Sequence, residues 1–553
     1  MNKMKLFLGK FKFAFIAIIM VVILLSTTRD ERNFNISKSL SIYATLFREL
    51  DMFYVDAFEP QDLVEKSIKS LLKNLDPYTV FYSEKNGDKL TLLTKGEYGG
   101  IGSIISTKNK KVQIVEVYEG TPSQKAGLRA GDEILSIDGH SLKDKGITQV
   151  SDLLKGKANT FVELEIMRFD KDKSFNKKFK RETIKLPSLP YYGMLENKVG
   201  YIYFEKFTNN SSRDVRKALI NLKSDGATSI ILDLRSNPGG LLGEAAEITN
   251  FFIPKGDTIV STKGRIDKMN HAYIAKSNPI MPDMPLVVLV GRGSASASEI
   301  VAGAIQDLDR GLIMGQRSFG KGLVQTTRDL VYNTKLKLTT AKYYTPSGRC
   351  VQALDYSHRN EDGSVGNVAD SLISDFKTKN GRIVHDGGGV TPDIKILGKE
   401  YAAIFKELVL NDVIFNFATE YLSTNKIDMD GADFKVDKKL YSTFKQYLNG
   451  IKFKYDSGAE LSLKKLEKVA KSEKYYNLAK PEFDALREKL SHSLEKDLEV
   501  FKPEIKDVIA VELLKREQYK RGAIKYHARH DAAIDSALVV LKDLKRYNKI
   551  LGK

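Results

Sequence analysis

The residues with chemical potential in this chain of 553 residues gather in three glycine- and serine-rich turns. The first is Gly291-Arg-Gly-Ser294-Ala-Ser296-Ala-Ser298-Glu299, between the apolar run Leu286–Val290 and a helix-like stretch, Ile300–Leu308. Alternating Ser and Ala keep this turn small, and a small strand-to-helix turn can lift one hydroxyl to the top of a sheet as a nucleophile. The helix N-terminus behind it offers free N–H groups to developing negative charge. The alternative is a helix cap, with Ser296 or Ser298 capping and Glu299 in support. A serine nucleophile needs a base, and the nearest histidine in sequence, His271, lies 25 residues before Ser296. Lys321, in Gly320-Lys-Gly322, lies 25 residues after it. That leaves room for a helix, a short strand near Leu312–Met314 and a return loop. Lysine acts as a base when neutral, a form that apolar burial favours, and Ser–Lys pairs are an established alternative to Ser–His. Gln325, four residues on, can orient the amine without adding charge.

The third turn, Asp233-Leu-Arg-Ser-Asn-Pro238-Gly239-Gly240, follows the apolar Ile230–Leu232 and precedes a helical pattern through Phe252. Gly239 and Gly240 can aim backbone N–H groups at a tetrahedral intermediate and, with the Ala297 N–H, form an oxyanion hole. A competing signal is Gly315-Gln-Arg-Ser-Phe-Gly320-Lys321-Gly322, which approaches a phosphate-binding loop. The terminal hydroxyl is replaced by Gly322, and Leu323-Val-Gln-Thr-Thr reads as a strand where that motif needs a helix.

A separate stretch, Glu97-Tyr98-Gly99-Gly100-Ile101-Gly102, has the glycines of a backbone anion nest and leads straight into a strand. A peptide C-terminus can dock its carboxylate in such a nest while its backbone extends the sheet. A helix over 147–155 would form the other groove wall, with Val150 and Leu154 facing the ligand. Together with Ala126-Gly-Leu-Arg-Ala-Gly-Asp-Glu-Ile-Leu-Ser-Ile-Asp-Gly139, the segment 97–170 resembles a PDZ domain.

The surrounding elements follow from periodicity. Residues 36–75 have helical spacing that ends at Asp76-Pro77; 97–170 reads as short alternating strands with Gly turns; 199–350 alternates strand and helix; beyond 396 the chain is Lys/Glu-rich and helical. The 42% hydrophobic content supports packed cores and rules out a mainly disordered chain. The single cysteine, Cys350, excludes an internal disulfide framework and a Cys-cluster metal site, and seven scattered histidines leave little for a His centre. We therefore expect no cofactor and no metal. The formal charge of +18 is spread along the chain. Lys3, Lys5, Lys10 and Lys12 precede the apolar run Phe13–Leu25. This is the pattern of an export signal, short for a span that needs about 20 residues. Either a cleaved signal or a retained anchor at 13–25 places the remainder outside the cytoplasm, in the periplasm or on the extracytoplasmic face of the membrane. Nucleic acid is then not an expected partner.

The assembled motifs resemble the carboxyl-terminal processing peptidases, or tail-specific proteases. They are Leu75-Asp-Pro-Tyr-Thr, Tyr98-Gly-Gly-Ile-Gly, Asp233-Leu-Arg-Ser-Asn-Pro-Gly-Gly, Ser294-Ala-Ser-Ala-Ser-Glu-Ile, Gly320-Lys-Gly-Leu-Val-Gln, Tyr344-Thr-Pro-Ser-Gly and Gly389-Val-Thr-Pro-Asp. Their order matches over about 40–395. Gly291 stands where the family frequently has asparagine. The resemblance implies Ser296 as nucleophile, Lys321 as general base, Gln325 as its orienting partner, and a PDZ domain that binds substrate C-termini and can gate the site. The expected fold is a multidomain α+β chain. Its parts are a signal or anchor (1–30), a helical N-terminal domain (31–90), a PDZ domain (91–185), an α/β layered protease core (186–395) and a helical C-terminal extension (396–553). Expected partners are protein or peptide substrates with accessible, apolar C-termini, and a second copy of the chain or an adaptor protein. The alternative from another class is a noncatalytic peptide-binding chaperone or scaffold.

Overall fold

The computed structural model describes residues 31–553 apart from 85–91, 93, 109, 361, 428, 456, 491 and 492. The apolar run 13–25 lies outside the described residues. The chain divides into two compact units, 1–83 and 84–553.

In the first unit, 31–53 are helical. Helix α1, Pro60–Lys73, starts with proline in its first turn, with Asp62 near the N-terminus and Lys73 near the C-terminus, each favourable to the helix dipole. The continuous helical spacing expected over 36–75 is thus broken before Pro60, whose missing N–H is harmless only at a helix start. Asp76 ends the pattern: its carboxylate accepts the Tyr78 and Thr79 N–H groups, each at 2.8 Å.

The second unit opens with a β-rich stretch whose longer strands are β1 (Glu97–Gly100), β2 (Ser103–Lys108), β3 (Lys111–Val117), β4 (Glu133–Ile137), β5 (Phe161–Met167), β6 (Phe175–Lys180) and β7 (Glu182–Lys185). Helix α2 (Ile147–Leu154) lies between β4 and β5. Strands β2 to β6 form one antiparallel sheet in chain order, and β1 pairs antiparallel with β7. The alternating positions Val162, Leu164 and Ile166 enter the core with Ile114, Ile134 and Val150, as period-two patterning requires.

The next elements in chain order are β8 (Tyr191–Met194), β9 (Val199–Tyr203), α3 (Ser211–Ser224), β10 (Ser229–Asp233), α4 (Leu242–Asn250), β11 (Thr258–Gly264), β12 (His271–Ile274), β13 (Leu286–Val290) and α5 (Ala297–Asp307). They are followed by β14 (Leu312–Gly315), β15 (Leu323–Asp329), β16 (Lys335–Tyr344) and β17 (Ile394–Lys395). The main sheet has the order β8-β9-β10-β13-β14-β17, parallel except for β8. A second, antiparallel sheet pairs β15 with β16, β16 with β11 and β11 with β12.

Both faces of the main sheet are covered, which is why its strands read as unbroken apolar runs. Ile230, Leu232, Val288 and Ile313 pack on one face with residues of α3, α4 and α5. Ile231, Val287, Leu289, Leu312 and Met314 pack on the other with Ile524, Ala528, Ile534, Ala537 and Tyr547. The second layer therefore comes from the C-terminal segment. Its helices are α6 (Ala403–Leu410), α7 (Val413–Thr424), α8 (Lys438–Gly450), α9 (Gly458–Ser472), α10 (Lys480–Leu490), α11 (Leu494–Val500), α12 (Lys502–Glu517), α13 (Tyr519–His530), α14 (Ala532–Lys542) and α15 (Leu544–Ile550). Residues of α6, α7, α8, α11 and α12 share a core of their own, whereas α13–α15 supply the layer beneath the sheet.

Candidate active site

Three loops at the carboxyl ends of β10, β13 and β14 carry the residues singled out above. That is where parallel α/β sheets place their sites, because the crossover helices open a crevice there. The β13 loop enters α5 through Ser296, whose φ of +56° and ψ of −111° are strained for a residue with a Cβ. Its hydroxyl makes no cap hydrogen bond, so of the helix-cap account only the support from Glu299 remains. The Ser296 side chain is half-buried at the turn, and its backbone N–H donates to Glu299 Oε2 at 2.8 Å. The flanking serines are structural. Ser294 Oγ donates to the Leu234 carbonyl at 2.6 Å, and Ser298 Oγ donates to the Asn237 carbonyl at 2.8 Å. Of the three serines, only Ser296 has its hydroxyl outside the scaffold's own hydrogen bonds among the described residues.

The loop after β14 brings Lys321 to the same carboxylate. Its backbone N–H donates to Glu299 Oε2 at 2.8 Å, while the Gly320 N–H and the Ser318 hydroxyl donate to Oε1, both at 2.6 Å. Glu299 is fully buried. Burial pushes its carboxyl above the usual range, opposed by the hydrogen bonds it accepts. Tyr343 on β16 closes the arrangement: its hydroxyl donates to the Ser296 carbonyl at 3.2 Å and its N–H to the Gly322 carbonyl at 2.9 Å. Burial holds this phenol well above its ordinary pKa, so it stays a donor. Gln325 lies on β15 at a register shift, with its Nε2 donating to Thr339 Oγ1 across the strand pair at 3.3 Å. The strand after Gly322 matches the expectation and removes the phosphate-loop reading.

Gly239 packs against Ser296, whereas Gly240 packs against Phe207. A Cβ on Gly239, at φ +98°, would lie 2.6 Å from the Ala295 carbonyl and 2.9 Å from Ser296 Cβ. One on Gly240 would lie 2.1 Å from the Phe207 carbonyl. The expectation that Gly239 donates to an oxyanion needs correction, because its N–H is already held by Asn237 Oδ1 at 2.9 Å. Such an Asn turn is favoured where the side chain can bond two residues on. The Gly240 and Ala297 N–H groups have no acceptor among the described residues.

In the PDZ-like domain the glycine loop is smaller than expected. Tyr98, Gly99 and Gly100 belong to β1, paired with Ile184, Thr183 and Glu182, rather than to a nest. Only Gly102 takes a positive φ, +79°, with the Ile101 side chain buried. The N–H groups of Ile101 and Gly102 have no acceptor among the described residues. Val150 and Leu154 do not face a ligand: both lie in the core, 0% and 5% exposed. A short helix buries one i, i+4 stripe, and this stripe is the one turned inward. On α2 and β2 the apolar side chains left open are Ile147 and Ile104, 42% and 39% exposed.

Sequence reasoning missed Asn237, Ser318 and Tyr343. The Asn-Pro-Gly-Gly turn signal pointed to the first. Nothing in the local sequence ties Tyr343 to a serine 47 residues earlier. Asp307 is an anchor: buried at the end of α5, it pairs with buried Arg349 at 2.8 Å and accepts the Ser347 N–H at 3.0 Å. No cluster of three or more His, Cys, Asp or Glu that could hold a metal occurs among the described residues. Likewise, no described helix is long and apolar enough to cross a membrane.

Comparison with known proteins gives three family matches: peptidase family S41 over 198–357, a PDZ domain over 113–168, and the C-terminal helical domain of a probable PDZ-protease over 404–541. A carboxy-terminal-processing protease of Bartonella bacilliformis is 38% identical over 332 residues, 59% of this chain and 75% of that one. A probable CtpA-like serine protease of Staphylococcus haemolyticus is 31% identical over 441 residues, 79% of each chain. Among solved structures, the photosystem II D1 C-terminal processing protease matches 64% of this chain and 86% of its own at 27% identity, with a TM-score of 0.35.

Proposed function

Since this chain belongs to peptidase family S41 and is a serine protease with a PDZ domain, we propose that it is an exported C-terminal processing endopeptidase working through a Ser296–Lys321 dyad. The observation that carries the dyad is the joint anchoring of both residues: their amides share one carboxylate oxygen, at 2.8 Å each. Lys321 in its neutral form takes the Ser296 proton as the hydroxyl attacks the scissile carbonyl. The leaving amine takes that proton, an acyl-enzyme remains, and water activated by the same lysine releases it. The open Gly240 and Ala297 N–H groups meet the oxyanion, and Gln325 orients the lysine. The PDZ domain receives the substrate's terminal carboxylate at Ile101–Gly102, with Ile104 and Ile147 offering apolar contact, and so selects apolar C-termini. The basic, apolar leader at 1–25 supports export to the periplasm or the extracytoplasmic membrane face, as cleaved signal or retained anchor. Sequencing the mature N-terminus separates the two.

The test is cleavage of an apolar-tailed protein by wild type, Ser296→Ala and Lys321→Ala. Both variants should lose activity, by roughly 10³-fold or more. Wild-type activity should rise with pH as the lysine deprotonates. Equal turnover by all three proteins would sink the dyad, and a limb near pH 6.5 abolished by a histidine substitution would move the base elsewhere.

A further inference from the structure

Glu299 holds more than a helix start. All residues of α5 are buried, so its third residue projects from a rigid element, and the carboxylate it carries is 0% exposed. Four donors converge on the two oxygens, three of them backbone amides. The Ser296 amide belongs to the nucleophile's own turn. The Gly320 and Lys321 amides and the Ser318 hydroxyl belong to a different loop, which arrives after another strand. Ser318 extends the grip by accepting the Val390 N–H at 2.6 Å. A helix cap needs one or two local acceptor contacts and can make them in water. A buried carboxylate costs several kcal/mol to desolvate and is kept where its hydrogen bonds compensate. Here those bonds run between the two loops that carry the dyad.

We propose that Glu299 is the positioning residue of the catalytic pair, its carboxylate locking the Ser296 turn to the Lys321 loop so that nucleophile and base hold one relative geometry. The inference rests on the reading of Ser296 and Lys321 as the dyad. The carboxylate is required by its symmetry as an acceptor. A carboxamide offers one oxygen and one NH2 group, so in Glu299→Gln two of the four donors would face another donor. The two loops would then separate by a fraction of an ångström to about one ångström, a displacement that can cost about 100-fold in rate.

The experiment compares full-length wild type with Glu299→Gln and Ser318→Ala, counting competent sites with a serine-directed fluorophosphonate and measuring kcat per titrated site together with KM. For Glu299→Gln, kcat per site should fall about 100-fold, with KM for the apolar-tailed substrate within about threefold of wild type. A merely structural role would reduce the number of titratable sites and leave kcat per site unchanged; that result overturns the proposal. If Glu299→Gln does not fold, Ser318→Ala decides. It strips a single donor from the carboxylate, so kcat per site should fall about threefold to tenfold, and an unchanged value overturns the proposal. The two readings fail separately: turnover surviving in Ser296→Ala removes the dyad, whereas wild-type kcat per site in the other two variants removes only the clamp.

Discussion

A residue's role in this site is set by what its hydrogen bonds leave over. Ser294 and Ser298 spend their hydroxyls on backbone carbonyls of the neighbouring β10 loop, and Ser296 does not. Gly239 is the glycine packed directly against Ser296. It combines φ +98° with an approach to Ser296 Cβ that leaves no room for a methyl group. We expect Gly239→Ala to cost about 1–3 kcal/mol in backbone strain alone and to abolish peptide cleavage by displacing Ala297. Thermal unfolding and cleavage assays check the two parts. A variant with wild-type kcat would show that the turn tolerates the added Cβ and that the close approach is not required.

At the scale of elements, the strands of the main sheet must end in register for the three loops to meet. Register pairs Asp233 of β10 with Leu289 of β13, and Val290 of β13 with Gly315 of β14. The opposite ends of the strands are pinned too. Tyr547 of α15 is buried, and its hydroxyl accepts the Leu286 N–H and donates to the Leu286 carbonyl, each at 3.0 Å. Tyr547→Phe removes both of these hydrogen bonds, and we expect a loss of about 1–2 kcal/mol with little change in KM. Chemical denaturation measures it; a stability change under about 0.5 kcal/mol would show that the contact is not what holds the strand start.

Across the second unit, the C-terminal segment binds the parts together. Lys515 pairs with buried Glu116 of β3 at 2.7 Å, Tyr519 meets Gln124, and Lys520 pairs with Glu205 ahead of the Phe207–Gly240 bridge. Arg235, in the loop after β10, is held by Asp233 and, at 2.8 Å, by Asp531 at the start of α14. Truncation before Tyr519 would therefore strip the layer under the sheet and expose Ile231, Val287, Leu289 and Met314. We expect insoluble or unfolded protein without cleavage activity. A soluble, active truncated enzyme, found by size-exclusion chromatography and assay, would refute this account of α13–α15.

The amino-acid sequence by itself determined the local events. Apolar runs gave the strands Leu286–Val290 and Leu312–Gly315, glycines marked the turns, and the Ser296 and Lys321 motifs stood out because small residues surround a single reactive group. Those are short-range constraints of backbone sterics and burial, written within a few residues of where they act. Only the tertiary structure decided that Glu299 reaches beyond its helix cap to a second loop, that Gly239 is a wall rather than a donor, that Val150 and Leu154 face inward, and that the helices after 518 complete the protease core. Each of these depends on which partner arrives from far along the chain, and a carboxylate, an amide or an apolar stripe looks the same in sequence whichever partner it meets.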